Sequence, residues 1–370
     1  MNNKLVMKIF SITISLLTVS CTIFFMISPK KEMSEVENRY LAQIPKFSFS
    51  NLFNGTYIAG LEGYINDQFP SRDNFVAIKT SFDILLGKKY HNGVYIGKNN
   101  NLLEEFKPSE DTEKIINKIN EFKDKLENIN IMTMLIPTSI DIYKDTLPNN
   151  LDILSQKEYI DYIYSKIKTQ NIDVYKELLI NKDKYDLYYR LDHHWTIYGA
   201  YYGYVAYSKT NNLNYHNIKD YTFTKVTDSF KGTLYSKSHI YNLPPDTIYS
   251  VKIASKYKVS YIYDNIITDT MYDEKYLSQK DKYSYFLSSN HPLVIIGNDS
   301  VQEKKLLIIK DSFANSMIPY LIEYYSEIHI VDLRFYKSSI SEYVKENDID
   351  NVLLLFNVNT LDTTSLISIS

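Results

Sequence analysis

The run Lys304-Lys305-Leu306-Leu307-Ile308-Ile309-Lys310-Asp311-Ser312-Phe313 decides the reading of this chain. Its apolar centre is too short for a helix and is bounded by polar residues, as expected of a strand covered on both faces. Asp311 and Ser312 follow at once. A helix is expected from about residues 315–318, because Pro319 sits more easily in a first turn than in mid-helix. Ser312 then lies beyond the C-terminal edge of the sheet, where open α/β sheets bind ligands. The amides of Ser312 and Phe313, at a helix N-terminus, are placed to cradle an oxyanion. Asp and Ser also make ordinary strand-to-helix turns, so this segment alone leaves both readings open.

Outward from that run, the pattern alternates. Residues 328–333 and 352–356 read as strands with a helix over 338–345 between them, and 128–137 reads as another buried strand. A helix follows over 156–169, a short strand over 172–175, and a helix over 195–209 that Thr196 can cap. Strand and helix in alternation imply right-handed crossovers and a parallel sheet between two helical layers. Residues 211–300 break the rhythm: YTFTKV, TIYSVKIA and KVSYIYD are β-branched and aromatic and are separated by turn residues, so a β-rich insertion is expected. Nearer the N-terminus, 58–69, 75–86 and 109–127 read as helices, with VYIG and LLEEF as a hairpin.

Residues 9–27 are apolar and uncharged, preceded by Lys4 and Lys8. About 20 helical residues span a bilayer core. No Ala-x-Ala site follows, and Thr18 stands where a lipobox ahead of Cys21 favours leucine. The expectation is an uncleaved signal anchor over 1–28, a tether over 29–57 and one body over 58–370. Lys30 and Lys31 nearly balance Lys4 and Lys8, so the short N-terminal tail decides for an exported, extracytoplasmic body on a single-pass anchor. A cytoplasmic body on the same anchor is the alternative.

The second chemical feature is Asp192-His193-His194-Trp195, just ahead of a helix. In an extended segment Asp192 and His194 share a face and His193 points away. A carboxylate beside an imidazole fixes its tautomer and stabilises the imidazolium, as a general base requires. A satisfied core histidine or a charge-rich helix start are the competing readings. No metal is expected, because His193 and His194 diverge and the other five histidines lack ligand-like spacing; no cofactor is implied either. After the last strands, Asn357, Asn359 and Arg334 are candidates to hold an oxyanion or a substrate. Trp195 is a core anchor or a pocket wall.

Composition bounds the rest. The 370 residues are 44% apolar and 23% charged, with net charge −3, which excludes a disordered polymer and gives no electrostatic reason to expect nucleic acid. One cysteine closes no internal disulfide. Lysine outnumbers arginine heavily: only Arg39, Arg72, Arg190 and Arg334 occur. Where lysine serves for any point charge, a retained arginine hints at a need for the forked guanidinium.

With these residues in hand, the chain resembles the DHHW family, named for the run 192–195. That family is similar to the alginate O-acetylation proteins, whose catalytic domains resemble SGNH hydrolases. Supporting segments are Glu37-Asn38-Arg39, residues 67–73 (DQFPSRD), 94–98 (VYIGK), Arg190-Leu191, 230–233 (FKGT), Asp311-Ser312-Phe313 and Asp332-Leu333-Arg334, and all four arginines fall inside them. The resemblance implies an SGNH hydrolase-like three-layer α/β/α fold. It maps an acid–base pair onto Asp192 and His194 and a serine nucleophile onto Ser312. Two departures stand out: no glycine after Val331 matches the SGNH oxyanion glycine, and the expected Gly-x-Asn-Asp appears only as Asn357-Val358-Asn359-Thr360. The implied activity is O-acetylation of a cell-envelope or secreted polysaccharide through an acetyl-serine, with a multi-pass membrane acyltransferase as donor partner. An O-acetyl esterase with the same three residues, or a non-catalytic glycan-binding scaffold, are the alternatives.

Overall fold

An eight-stranded sheet organises the computed structural model, which describes residues 3–34, 36–148, 151, 153–302, 304–361, 366 and 369. Its strands in chain order are β1 (Asn130–Ile136), β2 (Gln170–Asn171), β3 (Lys258–Tyr261), β4 (Ile266–Thr268), β5 (Leu293–Gly297), β6 (Lys305–Lys310), β7 (Glu327–Val331) and β8 (Asn351–Asn357). In space they run β4-β3-β5-β7-β6-β8-β1-β2. The sheet is mixed, and this corrects the all-parallel expectation. β2, β1, β8, β6 and β7 are parallel, whereas β5, β3 and β4 add antiparallel to the β7 edge. Apolar periodicity reports which side chains are buried and says nothing of strand direction. The stretch read as an insertion therefore joins the sheet in part, and its other strands, Phe223–Phe230 and Asp246–Val251, form a separate antiparallel pair.

Both faces of the sheet are covered. Met132, Met134, Ile308, Ile330 and Leu355 belong to one apolar core, shared with helix Ile197–Thr210. Ile131, Leu135, Ile309, Val331 and Leu354 belong to the other, shared with helices Thr112–Lys125, Gln156–Lys166 and Ile340–Glu346. Odd and even residues of one strand thus serve opposite cores, which is why these strands read as continuous apolar runs. Thr196 caps its helix by accepting from the Tyr198 and Gly199 amides, as expected. After β6 the chain makes two 3₁₀ segments, Ser312–Ser316 and Ile318–Tyr324, in place of the expected α-helix. Pro319 supplies no amide to an α-helical ladder here.

The chain divides into two units, Met1–Lys88 with His239–Tyr241, and Lys89–Ser238 with Asn242–Ser370. The first contains helix Asn3–Ile27, of which Lys4–Ile27 is long and apolar enough to cross a membrane, and helices Thr56–Gln68 and Arg72–Leu85. Within it, Arg39 grips Asp67 with two nitrogens (2.8 and 2.6 Å), and Glu37 is held by Arg72 (2.7 Å), Arg39 (2.7 Å) and His239 (3.0 Å). Burial alone would raise the Glu37 carboxyl, but these three partners bring it down to about 2.

Helix Ile197–Thr210 approaches the chain ahead of it through two glycines one turn apart. A Cβ at Gly199 would meet the Leu187 carbonyl oxygen at 2.2 Å, and one at Gly203 would meet the Trp195 ring at 2.7 Å. Gly203→Ala is expected to destabilise the protein by about 1–3 kcal/mol through overpacking. Denaturant unfolding followed by the fluorescence of Trp195, the single tryptophan, measures this, and a change within error would show that the ring can yield.

Candidate active site

Strand β6 delivers Ser312, and the residue before it fixes the turn. Asp311 is buried; its Oδ1 accepts from the Phe313 amide (2.9 Å), and its Oδ2 accepts from the Asn357 amide (2.7 Å) and the Thr360 hydroxyl (2.6 Å). One carboxylate therefore binds the β6 turn to the end of β8. Lys310, the last residue of β6, is fully buried and donates to Asn290 and Asn315 (2.8 Å each), with Asp332 at 3.8 Å. Burial pushes this ammonium down to about 8 against the pull of Asp332.

Asp192, His193 and His194 sit in a bent segment whose backbone is held from two sides. Asp246 accepts from the Arg190 guanidinium (3.0 Å) and from the Leu191 amide (2.8 Å), and the Tyr189 amide donates to the His194 carbonyl (3.2 Å). Asp192 is buried. Its Oδ1 takes the His194 amide (3.0 Å) and His194 Nδ1 (2.6 Å), while its Oδ2 takes the Thr233 amide (2.8 Å) and hydroxyl (3.1 Å). Gly232 lies so close that a Cβ there would meet Asp192 Oδ2 at 2.2 Å. Burial alone would raise the Asp192 carboxyl. The two neighbouring imidazoles and these donors outweigh burial and hold it far below the usual carboxylate range.

With Nδ1 donating to Asp192, His194 Nε2 is free to accept, and the Ser312 hydroxyl lies 2.7 Å from it. Asp192, His194 and Ser312 thus form one hydrogen-bonded chain joining residues 118 positions apart in sequence. His194 is buried, and burial lowers its pKa to about 4, against the opposing pull of Asp192; the imidazole is neutral at pH 7.

The other candidates are placed differently from the sequence reading. The Phe313 amide is spent on Asp311, which removes it as an oxyanion donor, whereas the Ser312 amide has no partner among the described residues. Asn357 is buried and committed to the Ile136 carbonyl (3.1 Å) and the Asn359 amide (2.9 Å). Arg334 is locked on Asp332 by two bonds (2.9 and 2.6 Å). Trp195 is fully buried, as a core anchor is; its indole N–H donates to the Phe313 carbonyl (2.8 Å), so it supports the serine turn from beneath. His193 does not diverge from His194. Because the segment bends, the two rings lie 3.8 Å apart, and His193 Nδ1 meets the Thr233 hydroxyl (2.6 Å). Among the described residues, Asp192, His193 and His194 do bring ligand-type atoms within 4.8 Å of one another. An ion held by all three would have to break the Asp192–His194 hydrogen bond or turn a ring.

Tyr283 was missed by sequence reasoning. Its ring stacks on His194 (3.6 Å between centroids, 8° between planes), and its hydroxyl bonds to the Ser312 carbonyl (3.2 Å) and the Ser316 hydroxyl (3.1 Å). It lies in a 3₁₀ segment, Lys282–Tyr285, of a chain with 35 tyrosines, so composition gave it no signal. Beside these residues opens a cleft of about 550 Å³ to which His193, Thr233 and Asn359 contribute.

A family model described as DHHW protein matches residues 104–331, more than half of the chain. The chain belongs to the DHHW family. Among solved structures, a DHHW family protein from Eubacterium siraeum is 24% identical with a TM-score of 0.68, over 75% of this chain and 96% of that one. Bacillus cereus PatB1, determined with a sulfonyl adduct, is 20% identical with a TM-score of 0.59, over 72% of this chain and 95% of that one. The O-acetyltransferase domain of Pseudomonas putida AlgJ is 14% identical with a TM-score of 0.47, over 75% and 99% respectively. No curated protein matches. At these identities the likeness shows the fold that this DHHW chain shares.

Tyr283→Ala is expected to destabilise the protein by roughly 3–5 kcal/mol, as loss of a buried ring does. Tyr283→Phe keeps the stack and loses only the hydroxyl's bonds, for about 1 kcal/mol. Denaturant unfolding compares the two, and equal losses would show that the ring is not what packs His194.

Proposed function

We propose that this chain is a membrane-anchored, extracytoplasmic O-acetyltransferase with an SGNH hydrolase-like site, acting on a polysaccharide through an acetyl-serine. The observation that carries the reading is the hydrogen-bonded sequence from buried, ionised Asp192 through neutral His194 to the half-buried Ser312 hydroxyl. The resemblance of the Asp192–Trp195 run to the alginate O-acetylation proteins gives the reaction class, and helix Asn3–Ile27 supports the anchor.

In this mechanism Ser312 Oγ attacks the acetyl carbonyl while His194 Nε2 takes its proton. Asp192 keeps Nδ1 protonated and offsets the positive charge that develops on the ring. The Ser312 amide, which has no partner among the described residues, faces the oxyanion. His194 then returns the proton to the leaving group, and Ser312 carries the acetyl ester. A sugar hydroxyl enters, gives its proton to His194, and attacks the ester; collapse releases the acetylated sugar and restores the Ser312 hydroxyl. An integral-membrane acyltransferase supplies the acetyl group, because the donor pool lies on the other side of the membrane.

Two predictions follow from the geometry. With 4-nitrophenyl acetate as donor and oligosaccharides as acceptors, Ser312→Ala and His194→Ala each lower kcat by about 10³-fold or more. Variants as active as the parent would remove the enzyme reading. His194 acts as base only when neutral, so activity should hold from pH 7 downward and fall as pH drops through about 4. A pH–rate profile checks this, and loss of activity already near pH 7 would place the titrating group elsewhere.

A further inference from the structure

The cleft beside His193 and Thr233 is chemically distinct from the buried residues next to it. Its volume, about 550 Å³, lies within the roughly 300–1,000 Å³ of small-ligand sites. It shares Thr233 with the hydrogen bonds around Asp192, and Thr360, which holds Asp311, also lines it. A molecule seated there lies beside the group that donates to Asp192 and beside the turn that presents Ser312.

Its lining has no aliphatic side chain, so nothing favours an acyl chain or another apolar ligand. The charged groups cancel in pairs: Glu104 meets Lys237 (2.9 Å), and Glu105 meets Lys107 (3.3 Å). Glu105 also accepts from the Tyr90 hydroxyl (2.9 Å). With two lysines against two glutamates this lining carries no net positive charge to draw an anionic polymer, and the paired carboxylates still have lone pairs for hydroxyl donors. At the rim, the Tyr90 ring is 37% exposed and steadied against Tyr95 (4.8 Å between centroids), which offers a flat face to the C–H side of a pyranose.

We infer that this cleft receives the acceptor as neutral hexose or N-acetylhexosamine units, with Tyr90 as its stacking platform. This rests on the acetyl-transfer reading and adds to it the place and the charge class of the acceptor.

The test uses the full chain in detergent, with tetra-N-acetylchitotetraose and cellotetraose as neutral probes and tetragalacturonate as the anionic one, titrated by calorimetry. A neutral probe is expected to bind saturably and more tightly than tetragalacturonate. Tyr90→Phe should retain that binding, and Tyr90→Ala should weaken it about 5-fold through loss of the ring face. Ser312→Ala should bind like the parent, which separates acceptor binding from acyl chemistry: intact neutral binding with no Ser312-dependent turnover sinks the enzyme reading alone. Tighter binding of tetragalacturonate, no saturable binding of any probe, or equal binding by Tyr90→Ala and Tyr90→Phe overturns the inference.

Discussion

A buried carboxylate must be kept charged without water, and much of this site exists to do that for Asp192. An unpaired ion in the interior costs several kcal/mol, so its oxygens have to be filled with donors. Four donations reach it, two from His194 and two from Thr233. Those donors come from chain segments some 40 residues apart, and Gly232 is needed so that the second segment can come close enough. The carboxylate is thereby the point at which the 190s loop and the stretch after residue 211 are fastened together.

The serine side also rests on a buried carboxylate, although there burial outweighs the donors and raises the pKa. Asp311 is a second buried carboxylate, and it collects one donor from its own turn and two from the end of β8. Trp195 then ties the two halves, because the residue after His194 donates to the carbonyl of the residue after Ser312. Tyr283 closes the remaining face of the imidazole and reaches the Ser312 carbonyl. The His194–Ser312 geometry is thus over-determined by its neighbours, which is what pre-organisation requires.

Much of this was legible in the residues. β1, β6, β7 and β8 were found because strands packed on both faces are unbroken apolar runs, and Thr196 was found because a capping hydroxyl sits just before its helix. Asp192, His194 and Ser312 were singled out from residue type and position alone, and the structure places them within hydrogen-bond reach. What stayed hidden depends on long-range packing. Nothing local marks Thr233 or Tyr283 as neighbours of His194, and nothing in the place of Lys310, at the polar end of an apolar run, announces that the fold buries it. The Phe313 amide stayed hidden for a related reason: whether it is free depends on the rotamer of Asp311, which the sequence does not state. Each of the four guanidiniums grips a carboxylate, two of them with paired nitrogens.

The central claim is that Ser312 is a nucleophile made reactive by His194, and covalent trapping tests it most directly. The folded chain is treated with a sulfonyl fluoride, digested, and the modified peptide is sequenced by mass spectrometry. The account predicts a single adduct on Ser312 that does not form in His194→Ala. An adduct on another residue, or equal labelling of Ser312 with and without the imidazole, would contradict it.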